Sequence, residues 1–286
     1  MRIRLAAAAA VVFGLPTAAA LAEHDPYSGA PLPPSKNHET PSPITDRFYI
    51  EGIYYRPVVK TPLRVDPQGT PAGVVGTDIS AERDLGLDSR LNMGRMEMMF
   101  RLRQRNKIRV DFLEVNRDAT QQLGRTINFG NEIFLANSLL SSSLDYRMFG
   151  LTYTYSFFRN DRFEAGTGLG VDLIQAEAMA QVNSTQQRQD VSGAGPFPTI
   201  PLDLAFRISR RWSVTARGQY FHASLSNFNG YLAQVHEDVQ YRWKDNFSLG
   251  IGYTSIRAKL ALNTGNFPGL FAMSLEGPEA YFRVSF

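Results

Sequence analysis

His222 and Ser224 are the residues whose types and spacing could do covalent chemistry. Two residues apart on a strand, they share one face. A histidine beside a serine can draw off the hydroxyl proton, and a carboxylate can orient the histidine. His236 and Glu237, expected at the outer end of the following strand, would supply such a neighbour. Polar residues at a strand's exposed end produce the same pattern, and no residue is assigned a catalytic role. The second set is larger. Glu51, Arg95, Glu97, Arg101, Arg109, Asp111, Glu164, Asp172, Asp203, Arg207, Arg217, Asp238, Arg242 and Arg283 alternate with apolar neighbours, apart from Glu237 beside Asp238. Charges placed this way fall on the polar face of a strand whose other face is apolar. If that face is enclosed, they must pair with one another, because a buried unpaired charge is costly.

The elements that would position these residues are strands. The stretch Glu279 to Phe286 alternates Ala280, Phe282, Val284 and Phe286 with Glu279, Arg283 and Ser285. The same period of two runs through a first strand at Asp46 to Pro57 and through Gly94 to Arg103, Ile108 to Phe112, Phe149 to Phe157, Phe163 to Leu173, Ile200 to Ile208, Trp212 to Phe221, Ala233 to Trp243 and Phe247 to Thr254. This predicts an all-β chain, a transmembrane antiparallel up-and-down barrel of about ten strands, with eight or twelve as the alternatives. Apolar side chains would face lipid and the charged set would line the lumen. Whether the lumen is a constricted aqueous path or a filled ion-pair network stays open. The expected short turns lie near residues 104–106, 159–161, 209–211 and 244–246 and belong to the periplasmic side. The expected outer loops span 58–91, 116–143 and 183–196, with shorter ones at 226–230 and 263–269. Gly277-Pro278 is expected to form a bulge, since proline cannot donate within a ladder. Glu237 falls on the lipid side of the count, which implies a bulge or a position above the membrane.

Around this barrel the organisation is simple. Residues 1–22 read as a cleaved signal peptide: Arg2 and Arg4, an apolar run from Leu5, and Ala20-Leu21-Ala22. Residues 23–45 hold six prolines among polar residues and read as an extended periplasmic linker without a core. Residues 46–286 would be the barrel. Removing the two arginines leaves 28 basic residues against 27 acidic, a balance that gives no reason to expect a nucleic-acid partner. The absence of cysteine excludes disulfides, thiolate metal sites and a cysteine-borne lipid anchor. No metal-ligand spacing or cofactor fingerprint is present.

Taken together, residues 46–286 resemble the outer-membrane β-barrel superfamily of Gram-negative bacteria, in its porin-like and small-barrel group. Tyr281, Phe282, Val284 and Phe286 are similar to the terminal signature that this superfamily presents to the barrel assembly machinery. Gly76-Thr77-Asp78-Ile79 with Asp84-Leu85-Gly86-Leu87 resembles a segment of uncharacterised proteobacterial barrels. The resemblance implies export to the cell outer membrane. It also implies contact with lipid and lipopolysaccharide, and escort by periplasmic chaperones. It implies a non-enzymatic protein that passes a small solute or presents surface loops; a closed structural or adhesive barrel is the alternative. His222-Ala223-Ser224 resembles the His-x-Ser arrangement of outer-membrane lipid A 3-O-deacylases, which would make the chain a lipid-modifying enzyme. The clustered Asp and His residues of the omptin proteases have no counterpart motif here.

Overall fold

The computed structural model describes residues 41–68, 75–182, 184–225, 228–262 and 268–286. The expected signal peptide and most of the linker lie outside these residues. Ten long strands form the wall: β1 (Phe48–Tyr55), β2 (Met93–Arg103), β3 (Asn106–Gln122), β4 (Leu139–Arg159), β5 (Phe163–Val182), β6 (Gln187–Arg207), β7 (Trp212–Leu225), β8 (Phe228–Lys244), β9 (Phe247–Leu262) and β10 (Gly269–Ser285). Each pairs antiparallel with the next, and β10 pairs with β1, so the sheet closes. At the seam the Phe286 amide donates to the Phe48 carbonyl, and the Phe286 carbonyl accepts from Arg47 and Phe48.

The wall's outside is apolar. Phe149, Leu151, Tyr153, Tyr155 and Phe157 on β4, and Leu249, Ile251 and Tyr253 on β9, are all exposed, as are Phe282 and Phe286. Water does not tolerate such a continuous apolar belt, whereas lipid requires one. Aromatic pairs gather at the short-turn end, Trp212 with Tyr241 and Phe48 with Phe100. Rings at that level suit the headgroup boundary.

Several expectations about the connections are corrected. Residues 58–91 are not simply an external loop. The alternation of β1 continues past Pro57, with Val59, Thr61, Leu63 and Val65 buried and Val58, Lys60 and Pro62 exposed. Val58–Lys60 and Pro62–Val65 pair with β10 above β1. A one-turn helix, Ala81–Asp84, follows Ile79–Ser80, and Leu85 and Leu87 turn into the interior. The expected loops at 116–143 and 183–196 are shorter too, because β3 runs up to Gln122, β4 starts at Leu139 and β6 at Gln187. Strands β4 to β6 have 20 or 21 residues. Tilted at about 40°, they stand ~50 Å tall, roughly twice the ~25 Å apolar band. No bulge forms at Gly277-Pro278: β9 and β10 stay in register from Phe247–Val284 to Leu262–Gly269, and the Pro278 carbonyl accepts from Arg56 where β1 gives way to its extension. Glu237 involves no bulge either, since the β8 register is unbroken from Phe228 to Arg242. It points outward between Val235 and Val239, opposite Tyr253.

Residues 41–45, the described end of the expected linker, are not coreless. Ser42 to Asp46 form a turn in which the Thr45 and Asp46 amides donate to the Ser42 carbonyl. Ser42, Ile44 and Asp46 are buried, so this turn plugs the periplasmic end.

Candidate functional site: the filled lumen

The interior has three layers, which follow from the inward residues of each strand. The lowest is the plug. Arg101 binds it through two carbonyls, Nε donating to Asp46 and Nη2 to Pro43, while Nη1 donates to Gln104 in the turn after β2. The same guanidinium makes a forked pair with Glu164 at 2.7 and 3.0 Å. That planar, two-pronged match is available to arginine and not to lysine. Arg242 Nη2 holds the Asp46 carboxylate at 2.6 Å.

The middle layer is ionic. On β10, β1 and β2, Arg283, Glu51 and Glu97 lie side by side in register. Arg283 Nε meets Glu51 Oε2 at 2.6 Å, and its Nη1 donates to Gln240 at 2.7 Å. Its guanidinium lies 4.1 Å from the centre of the Tyr49 ring, a cation–π contact. Tyr49 donates to Glu97 at 2.6 Å, and Arg217 closes the group by pairing with Glu97. Across the lumen Arg109 meets both oxygens of Asp203, at 3.1 and 3.2 Å. Lys107 sits 3.6 Å from Asp203 and 3.6 Å from Glu164. Tyr281 fits over Gly250: a Cβ there would lie 2.2 Å from its ring. Its hydroxyl donates to Asp238 at 2.5 Å. His236 stands between Asp238 at 3.1 Å and Glu279 at 2.8 Å, with Thr254 also at 2.8 Å. Asp111 and Asp172 flank Gly150; Arg95 is 3.8 Å from Asp111, and Asp172 accepts from Gln234 at 3.1 Å.

The top layer is apolar. Leu113 and Val115 of β3, Leu140, Leu144, Tyr146 and Met148 of β4, and Leu275 of β10 pack against Leu63, Val65, Leu85 and Leu87. The short hairpin of Ile127–Phe129 and Glu132–Phe134 folds over them, burying Ile127, Phe129 and Phe134. Its Gly130 amide donates to the Val65 carbonyl, and its Asn128 carbonyl accepts from Thr77. One ion pair stitches this cap to the wall: Arg117 reaches Glu82 at 2.7 Å and Thr61 at 2.6 Å. Burial works to raise the Glu82 carboxyl, but hydrogen bonds from Arg117 and the Thr61 amide outweigh it and hold the group below its ordinary value.

Of the fourteen charged residues singled out in the sequence, thirteen meet in the network. Arg207 stands apart, half-buried at the periplasmic end of β6. Sequence reasoning missed Asp46, Lys107 and Arg117. Lys107 and Arg117 continue the alternation of β3 beyond the limits expected for it. The His222–Ser224 arrangement does not assemble. Both residues are exposed on the outward face of β7, whereas His236 is buried in the lumen. Glu237 shares their face but lies opposite Ala216, six residues along β7 from His222, or ~20 Å at strand spacing. Among the described residues, no group of three or more His, Cys, Asp and Glu has metal-binding geometry.

No family model matches the chain, and no curated relative matches it. Solved structures do. The outer membrane protease OmpT from Escherichia coli aligns at 11% identity over 85% of this chain and 98% of its own, with a TM-score of 0.50. Ail, the attachment invasion locus protein of Yersinia pestis, aligns at 9% identity over 83% of this chain and 99% of its own, with a TM-score of 0.33. The toluene transporter TodX of P. putida aligns at 8% identity over 84% and 90%, with a TM-score of 0.30. At these identities the likeness is one of fold: the chain has the closed ten-stranded antiparallel β-barrel of Gram-negative outer-membrane proteins.

Proposed function

We propose that this barrel is a closed, non-enzymatic outer-membrane protein whose working surface is its outer cap and tall polar rim, and that it passes no solute through its centre. One observation carries the reading. Arg283 and Glu51, paired at 2.6 Å in the middle of the lumen, are 1% and 0% exposed. A water-filled pore would leave its wall charges wet. The plug around Ile44 below and the apolar cap around Leu85 and Phe134 above support the same conclusion. The hollow beside Tyr49, Arg109 and Arg217 measures about 40 Å³, room for roughly three waters and too small for a sugar. The rim above the apolar band carries Glu114, Asp118, Asp145, Arg147, Glu177 and Asp190 on its outward face. Such a surface suits contact with polar partners and lipopolysaccharide headgroups. The test is osmotic swelling of vesicles containing the folded protein. In a small sugar such as arabinose they should swell no faster than protein-free vesicles; swelling that scales with protein content would overturn the reading.

A further inference from the structure

The short turns carry a charge pattern of their own. Each strand that enters one ends on a base: β2 on Arg103, β4 on Arg159, β6 on Arg207 and β8 on Lys244. Arginine also precedes three of the strands that leave, with Arg105 before β3, Arg162 before β5 and Arg211 before β7. Arg210 adds another base, and the acidic side chains in these turns are Asp161 and Asp245. Hydrogen bonds between neighbouring hairpins hold the turns at one level. The Arg105 carbonyl accepts from the Ser156 amide at 2.8 Å, Arg162 from Arg207 at 2.7 Å and Arg211 from Arg242 at 2.7 Å. The bases therefore form a band around the periplasmic end.

Much of this band has no counterion in the protein. Arg103, Arg105, Arg162, Arg210 and Lys244 are exposed, and they make no ion pair with a described residue. The outer rim is built differently. There Arg147 pairs with Glu114 at 2.8 Å, Arg188 with Asp190 at 2.7 Å and Arg257 with Glu276 at 2.7 Å. Like charges gathered at one level repel one another, and an external anion relieves them.

Directly above the band lies the aromatic boundary. Strands β5, β7 and β9 begin on Phe163, Trp212 and Phe247. These rings pack on Phe158, Tyr241 and Phe282, with centres 5.6, 5.0 and 5.8 Å apart. Two bases touch this boundary. Arg211 Nη1 donates to the Tyr241 hydroxyl at 3.1 Å, and the Lys244 ammonium lies 5.6 Å from the centre of the Trp243 ring. The charges thus sit at the depth of lipid headgroups.

We propose that this end of the barrel binds anionic phospholipids of the periplasmic leaflet through their phosphate groups. Arginine suits that ligand, because its planar fork donates to two phosphate oxygens at once. The surface continuous with the band is the one that touches lipid, and headgroups surround turns as short as these. The inference does not depend on the closed lumen or on the outer cap, since the band lies outside both.

The chain's two tryptophans, Trp212 and Trp243, both lie in this boundary on the outside of the wall and report on it directly. The protein is folded into phosphatidylcholine vesicles that contain the same minor fraction of either brominated phosphatidylglycerol or brominated phosphatidylcholine. Bromine quenches an indole on contact, so the emission reads which lipid stands beside the turns. Brominated phosphatidylglycerol should be enriched there about fivefold, the effect of one well-placed base. Replacing Arg210, Arg211 and Lys244 together by glutamine should bring the two lipids to equality, with the β-sheet circular dichroism unchanged. Arg188→Gln with Arg257→Gln, at the outer rim, should leave the preference as it was. Equal quenching by the two lipids in the unaltered protein overturns the proposal, and so does a preference that survives in the turn variant.

Discussion

The two halves of the lumen are filled by different physics. The lower half is held by ion pairs whose partners lie far apart in the sequence, such as Arg283 with Glu51 and Arg101 with Glu164. The upper half is held by side chains such as Leu85, Leu113, Phe134 and Tyr146, which need only fit in volume. A buried ion pair adds little net stability over an apolar replacement of the same shape, but losing one partner leaves a charge stranded. An apolar cluster loses stability in proportion to the volume removed and tolerates swaps of similar size. The lower half is therefore specific and brittle, and the upper half forgiving.

The largest effect should come from breaking one ion pair. Arg283→Met leaves the fully buried Glu51 without its counterion and should cost about 4 kcal/mol in urea unfolding from vesicles. Replacing both residues by methionine should recover most of that loss. A double variant as unstable as the single would remove the distinction between the halves. Next is the cap. Leu85→Ala should cost about 3 kcal/mol, and Leu85→Met less than about 1.5 kcal/mol. Arg283→Lys, by contrast, should behave as a break, since lysine cannot span Glu51 and Gln240 together.

Acid should separate the cap from the rest of the upper half. The Glu82 carboxyl is held below its ordinary value of 4.5 in the folded protein. Its contribution is therefore complete above that value and is lost as pH falls through the lower, folded value. Amide exchange at residues 79–88 should quicken over that acid range, and Glu82→Gln should abolish the pH dependence. The smallest effect belongs to the rim: Glu114→Gln removes an exposed pair with Arg147 and should change stability by less than about 1 kcal/mol.

What the sequence disclosed follows the same division. A strand's face is a local property, so alternation in ten segments was enough to find the wall and to point Glu51, Asp238 and Arg283 inward. The extension Val59, Thr61, Leu63, Val65 carries the same alternation and was hidden by Pro62 within it and Pro67 just beyond it, which read as loop. Pairing across the lumen is not local. Nothing in the chain near Arg101 announces Glu164, and nothing near Arg242 announces Asp46. The inward fold of residues 79–91 depends on a cavity that exists only once the barrel has closed. The His222–Ser224 alternative fails for the complementary reason: spacing puts the two on one face, and only the assembled sheet shows that His236 lies on the other.

The central claim is that the lumen is filled from the Ile44 plug to the Phe134 cap. Single-channel recording across planar bilayers tests it most directly. The folded full chain should give no conductance steps above the bare bilayer at any applied voltage that the membrane withstands. Stepwise openings whose frequency rises with the amount of folded protein would contradict the account.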